Sequence, residues 1–179
     1  AIQIFEQAGR LFAETKKSLQ SQLGKIENED EKQMATNMLK ATDLRREYCN
    51  GRITLEEAKV LDKKGDHHSS SKKYGSAAET FKQITQALES EQDKKEFQLI
   101  ITLSQAWQKM MLAEARASPE LYREASQLFE QASEQSDSER TSFLTLGHSR
   151  FCKALEAGTK FADTGDVALH TVATQHLES

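Results

Sequence analysis

One pattern of side chains recurs along this chain at a fixed distance, and few folds accommodate it. In LYREASQLFEQASEQ, residues 121–135, Tyr122, Ala125, Phe129 and Ala132 are spaced +3, +4, +3, which sets them on one face of a helix. The same offsets hold Tyr74, Ala77, Phe81 and Ile84 in YGSAAETFKQITQA, and Phe5, Ala8, Phe12 and Thr15 near the start. A fainter fourth copy is His170, Ala173 and Leu177. A small residue between bulky ones lets a neighbouring helix approach while the rings fill the space on either side. The copies beginning at 74, 122 and 170 are 48 residues apart both times, and a period of this size is the mark of stacked helical hairpins. The first copy lies 69 residues upstream of the second, so that interval holds extra structure.

Composition agrees with a helical stack. One proline and eight glycines in 179 residues leave few turn signals, and valine is scarce, so a sheet has little raw material. The fold class expected is all-α, a right-handed solenoid of about eight antiparallel helices. It forms one domain over residues 1–179, irregular over 1–53 and more regular over 54–179. The chain opens in mid-pattern at Ala1 and stops within VATQHLES, which reads as a piece of a longer protein.

Local signals place the elements. Residues 92–117 carry Phe97, Ile100, Ile101, Leu103, Trp107, Met110 and Met111, an apolar arc wide enough for a helix covered on two sides. Residues 139–160 repeat the idea with Phe143, Leu146, Gly147, Phe151 and Leu155. Ser118 with Pro119 starts the helix of the opening stretch, Ser136 with Glu139 forms a capping box for the next, and Gly165 stops it. Upstream, NGR at 50–52 breaks the chain, and Thr54 with Glu57 caps a short helix to about Lys64. KKGDHHSSSKK is a loop followed by the first turn of the helix that carries Tyr74.

The offsets Tyr-x-x-Ala-x-x-x-Phe-x-x-Ala resemble the second helix of a tetratricopeptide repeat. The first helix of such a repeat is matched by Phe143, Leu146 and Gly147, with Arg150 in place of an aromatic, and by Ile100, Leu103, Ser104 and Trp107. The period of 48 exceeds that family's roughly 34 residues, and the closing proline is missing. The style is nearer the soluble NSF attachment protein family, over residues 54–179. The resemblance implies that the first helix of each pair lines a concave surface, and says little of function.

Motifs that carry chemistry are absent. There is no G-x-x-x-x-G-K-[ST], G-x-G-x-x-G, H-E-x-x-H, C-x-x-C, G-x-S-x-G or Glu-x-x-His. The expectation is therefore a protein that is not an enzyme and uses no cofactor. His148 and Cys152, four apart, could share a ligand, and the bland alternative is an interhelical seam. Asp66, His67 and His68 could serve a metal or a pH response, and the bland alternative is a solvated helix start capped by Asp66. Trp107, Met110 and Met111 are core or a pliable binding surface.

A net charge of −4 and lysine and arginine doublets scattered among acids argue against a nucleic-acid stripe. No apolar run reaches the roughly 18 residues of a membrane span. Two cysteines about a hundred residues apart fit a reduced, cytoplasmic setting. The expected function is an interaction scaffold for a peptide or partner protein. Its candidate contacts are two polar stripes, Gln98, Thr102, Gln105, Lys109 and Arg116, then Thr145, Ser149, Lys153 and Lys160. Amides suit a peptide backbone and cations suit carboxylates or phosphate, although the same stripes also describe a plain solvent face. Two alternatives stand beside the scaffold: an assembly domain that forms homo-oligomers through apolar surface left open at the end of the stack, and a ligand- or metal-sensing module.

Overall fold

A computed structural model describes residues 1–178 as an all-helical chain, with no strand among them. The seven helices are α1 (Ile2–Leu23), α2 (Glu29–Lys63), α3 (His67–Ala87), α4 (Glu91–Arg116), α5 (Pro119–Gln135), α6 (Glu139–Thr164) and α7 (Val167–Glu178). Each packs chiefly on the helix before it and the helix after it. Neighbours run antiparallel, because the short connections force the chain to double back. On α5 and α6, Arg123 pairs with Glu156, Ser126 with Ser149 and Ser133 with Ser142. The result is a packed helical stack.

The repeated stripe is the core of its middle. Tyr74, Ala77, Phe81 and Ile84 on α3, and Tyr122, Ala125, Phe129 and Ala132 on α5, are all buried. The outer copies are not. Phe5, Ala8 and Phe12 are half-buried, Thr15 is exposed, and of the copy on α7 Ala173 is partly covered, while His170 and Leu177 are exposed. A helix at the end of a stack has a neighbour on one side only. Phe81 and Phe129 have no exposed surface, and each contributes about 2–3 kcal/mol by burial. Around Phe81, Tyr48 and Phe97 complete a triangle of rings about 6 Å apart. Met110 and Met111 are buried in the second core cluster, with Ala58, Tyr74, Ala106, Phe129 and Cys152.

Helix starts follow the capping chemistry. Ser118 Oγ accepts from the Leu121 amide with Pro119 at the first helical position, and Gly165 ends α6 in the left-handed conformation at φ 69°. Asn28, Asp66 and Ser90 do the same service for α2, α3 and α4.

Two boundaries differ from expectation, and the start of α3 agrees with it. The cap of α6 is Ser138, which accepts from the Thr141 amide, while Ser136 Oγ accepts from the Ser138 amide just upstream. α3 begins at His67 behind its Asp66 cap, after a short turn around Gly65, and the polar run from Ser69 to Lys73 belongs to its first turns. The largest difference lies at NGR. α2 continues through Asn50, Gly51 and Arg52 to Lys63, so the described residues form seven helices rather than about eight, and the division placed at 53/54 falls inside a helix. Gly51 is not a breaker. It is buried, and its missing side chain makes room for the ring of Phe81 on α3. Thr54, expected as a cap, donates its hydroxyl to the Asn50 carbonyl within the helix.

Candidate functional site

α5 lies between α4 and α6, and three of the stripe residues, Lys109, Ser149 and Lys153, pair with its side chains. From α4, Lys109 Nζ lies 2.6 Å from Glu124 Oε2, and Thr102 is buried with its hydroxyl 3.5 Å from Gln98 Nε2. From α6, Ser149 shares a hydrogen bond of 2.9 Å with Ser126 and donates to Glu130 at 3.1 Å. Lys153 reaches the same Glu130 oxygen at 2.6 Å. Thr145 is buried and donates back to the carbonyls of Thr141 and Ser142. Lys160 holds Glu156, which also receives Arg123 from α5. The hydrogen bond from Lys153 keeps Glu130 ionised below the usual carboxylate range, against the opposing effect of burial. Burial works to raise Glu156, and the hydrogen bonds from Lys160 and Arg123 outweigh it, so its net shift is also downward.

Three of the nine stripe residues, Thr102, Thr145 and Ser149, are therefore enclosed between helices. Three lysines are engaged in ion pairs. Gln98, Gln105 and Arg116 remain open to solvent to differing degrees. Arg116 is exposed in the last turn of α4, where a cation favours the helix dipole. Gln105 lines a shallow cleft between α3 and α4 with Lys72 and Gln108. Gln98 lines another, with Gln92, Leu99 and Gln135, where α4 extends past the end of α5. The Gln135 side-chain oxygen there is buried without a hydrogen-bond partner.

A cleft that the stripes did not indicate has a more anchor-like composition. The Tyr74 and Trp107 rings stack with centroids 6.1 Å apart and planes inclined by 20°. They line an open recess of about 330 Å³ walled on the α2 side by Glu56, Lys59, Val60 and Lys63. Val60, on that wall, is 42% exposed. Burial, reinforced by the Asp62 and Glu56 carboxylates, raises the Tyr74 phenol, so it stays protonated at neutral pH. The sequence signal for this recess was Trp107, the one tryptophan of the chain, sitting on an apolar arc beside two methionines. The methionines are core, and the indole is half-buried between core and cleft.

His148 and Cys152 lie in the seam. The imidazole packs edge-on against Trp107 at 4.8 Å and tilted on Phe129 at 5.3 Å. Its burial lowers its pKa. Cys152 has no exposed surface, and burial, with a smaller contribution from Glu114, pushes its thiol up to about 12. A neutral thiol is a poor nucleophile and a poor metal ligand. Asp66 accepts from the Ser69 amide as the cap of α3, and His67 Nδ1 lies 3.3 Å from Asp62 Oδ1. Among the described residues no three His, Cys, Asp or Glu side chains come together in a metal-holding group. No helix of the described residues is long and apolar enough to cross a membrane.

No family model matches the chain, and no curated protein or solved structure matches it either. The all-helical stack is compatible with a helical-repeat fold, and the resemblance to tetratricopeptide repeats rests on the residue pattern alone.

Proposed function

We propose that the protein is an interaction scaffold that binds a peptide or partner protein, as a binding module rather than a catalyst. The observation that carries this reading is the recess floored by Tyr74 and Trp107 between α2 and α4. Tryptophan and tyrosine at the bottom of a recess are the residue types that dominate binding energy when a partner covers them. Val60 offers an apolar wall to an inserted side chain, and Lys59, Lys63, Glu56 and Asp62 form a charged rim of both signs. The ligand that suits it is a segment with one bulky apolar anchor between polar residues. The tetratricopeptide-like register supports the location, because α2 and α4 are each the first helix of a pair. A right-handed solenoid with a concave binding face, placed in the cytoplasm, remains part of this proposal.

The test uses the single tryptophan as a reporter. Peptides selected from a random displayed library on the native protein are titrated while Trp107 emission is followed. A saturable blue shift that Val60→Asp weakens at least tenfold, with helicity unchanged, supports the recess as the site. Selected peptides that bind both forms equally and leave Trp107 emission unmoved sink it.

An assembly role is favoured by a separate observation: Phe143, in the first turns of α6, is 75% exposed.

A further inference from the structure

Three apolar positions in the first turns of α6 are polar at the matching places of α4. Counted from the helix starts at Glu91 and Glu139, Phe143, Leu144 and Leu146 correspond to Lys95, Glu96 and Gln98, five residues out of step with the repeat-like pattern that set Phe143 against Ile100. Phe143 is 75% exposed, Leu144 52% and Leu146 40%. α7 explains the rest of the face but not this part. It seals the second half of α6, where Ala154 and Ala157 are buried and Phe161 meets His170 with rings 5.6 Å apart. Phe143, Gly147 and Arg150 continue the line of Ala154, Ala157 and Phe161 with nothing from the described residues lying over Gly147: a Cβ built there meets no atom within 4 Å.

A second patch lies at the other end of the chain. The first turns of α2 pack on α1, and the side away from it exposes Met34 by 66% and Met38 by 51%. α3 meets α2 farther along, at Tyr48, Gly51 and Ala58. The two patches have the same build and opposite flanks. Met34 and Met38 are one turn apart, preceded by Asp30 and Glu31. Phe143 and Gly147 are one turn apart, flanked by Arg140 and Arg150, with Glu139 beside Arg140.

We propose that these two patches bind each other between copies, so that the α2 patch of one molecule seats on the α6 patch of the next. Charge favours the unlike pairing: the α2 flank, Asp30 and Glu31 with Lys32, is net acidic, and the α6 flank, Arg140 and Arg150 with Glu139, is net basic, so either patch paired with itself meets a net charge of its own sign. Head-to-tail pairing sets Asp30 and Glu31 against the arginine flank. The open position at Gly147 is a hole for a methionine side chain, and thioether sulfur packs well on an aromatic ring such as Phe143. A contact between two different patches leaves one of each unsatisfied, so assembly proceeds as open chains or closed rings. The interface is small, a few helical turns a side, so the association is weak and concentration-dependent. It uses no residue of the Tyr74–Trp107 recess and stands whether or not that recess binds a peptide.

Sedimentation equilibrium over a range of protein concentration tests it with two half-blocked variants. One carries Met34→Ser and Met38→Ser, the other Phe143→Ser and Leu146→Ser, and circular dichroism checks that both keep native helicity. The native chain is expected to grow in weight-average mass with concentration. Its association weakens about tenfold between 50 mM and 500 mM salt, and by a similar factor with Arg140→Glu. Each half-blocked variant is expected to stay monomeric, and their equimolar mixture to stop at a dimer, because it contains one good patch of each kind. Self-association of either blocked variant like the native chain overturns the proposal, and so does a mixture that stays monomeric. A native chain monomeric at all concentrations also overturns it, and leaves the α6 patch to an acidic amphipathic helix from another protein.

Discussion

The backbone of α2 at Gly51 lies so close to the ring of Phe81 that a Cβ there would sit 2.7 Å from Cζ and 2.9 Å from Cε1. Phe81 has no exposed surface and is wedged among Tyr48, Phe97 and the α3 stripe, so its ring cannot retreat. Gly51→Ala gains about 1 kcal/mol of helix propensity and meets an overpacking cost of about 1–3 kcal/mol. Net destabilisation is expected, with the thermal midpoint lowered by a few degrees. Gly75 is the control. Its added Cβ would meet only the amide end of Gln108, 2.5 Å away, which can swing aside. Gly75→Ala is expected to leave the midpoint unchanged or raise it, and a fall as large as that of Gly51→Ala would show that Gln108 is held rigidly.

The seam around α5 makes a second prediction, because buried and exposed members of one network differ in worth. Ser149→Ala removes the partner of Ser126, whose hydroxyl is buried, and one hydrogen bond to Glu130. The expected cost is about 1–2 kcal/mol. Lys153→Met removes a shorter contact to the same carboxylate, but both partners are 39% exposed, and water screens the pair to less than about 1 kcal/mol. Denaturant midpoints that rank Lys153→Met as the more damaging would overturn this ordering.

Much of this was legible in the residues, and the gaps have physical causes. The stripes on α3 and α5 are recognisable because burial on both sides leaves each position one chemistry to satisfy. Gly51 is opaque in one dimension: after Asn50 it has the look of a turn, and the reason it stays helical is a ring 30 residues downstream. The polar stripes mislead for a related reason. A polar face opposite an apolar one looks solvated, yet α5 carries Ser126 and Glu130 toward one neighbour and Glu124 toward the other, so polar meets polar between helices. The Tyr74–Trp107 recess needs two helices and a third wall, and no single-helix pattern contains it.

Stability is expected to fall in acid through two groups of different pH range. Burial depresses His148, so the unfolded chain binds a proton there more readily than the folded one. That contribution is complete above the unfolded value of about 6.5 and is lost as pH falls through the lower folded value. Glu130 and Glu156, also depressed, contribute above the unfolded value of about 4.3 and lose that stability at lower pH. His148→Phe keeps a ring between Trp107 and Phe129 while removing the titration. It is expected to flatten the decline in midpoint between pH 7.5 and 5.5, and a native-like slope in the variant would show that His148 is not its source.

The two cysteines provide a probe of the seam that needs no substitution. Cys49 is 3% exposed and Cys152 not at all, and burial raises both thiols, that of Cys152 to about 12. Reaction with an aromatic disulfide reagent requires both access and thiolate, so neither is expected to react in the native protein on the minutes scale, and both react in guanidinium. Cys152 lies among α4, α5 and α6 side chains, so its labelling rate reports the opening of that half of the stack. Rapid native labelling of Cys152 would mean that α6 separates from α5 without global unfolding, and the polar seam would then be a weak joint instead of a lock.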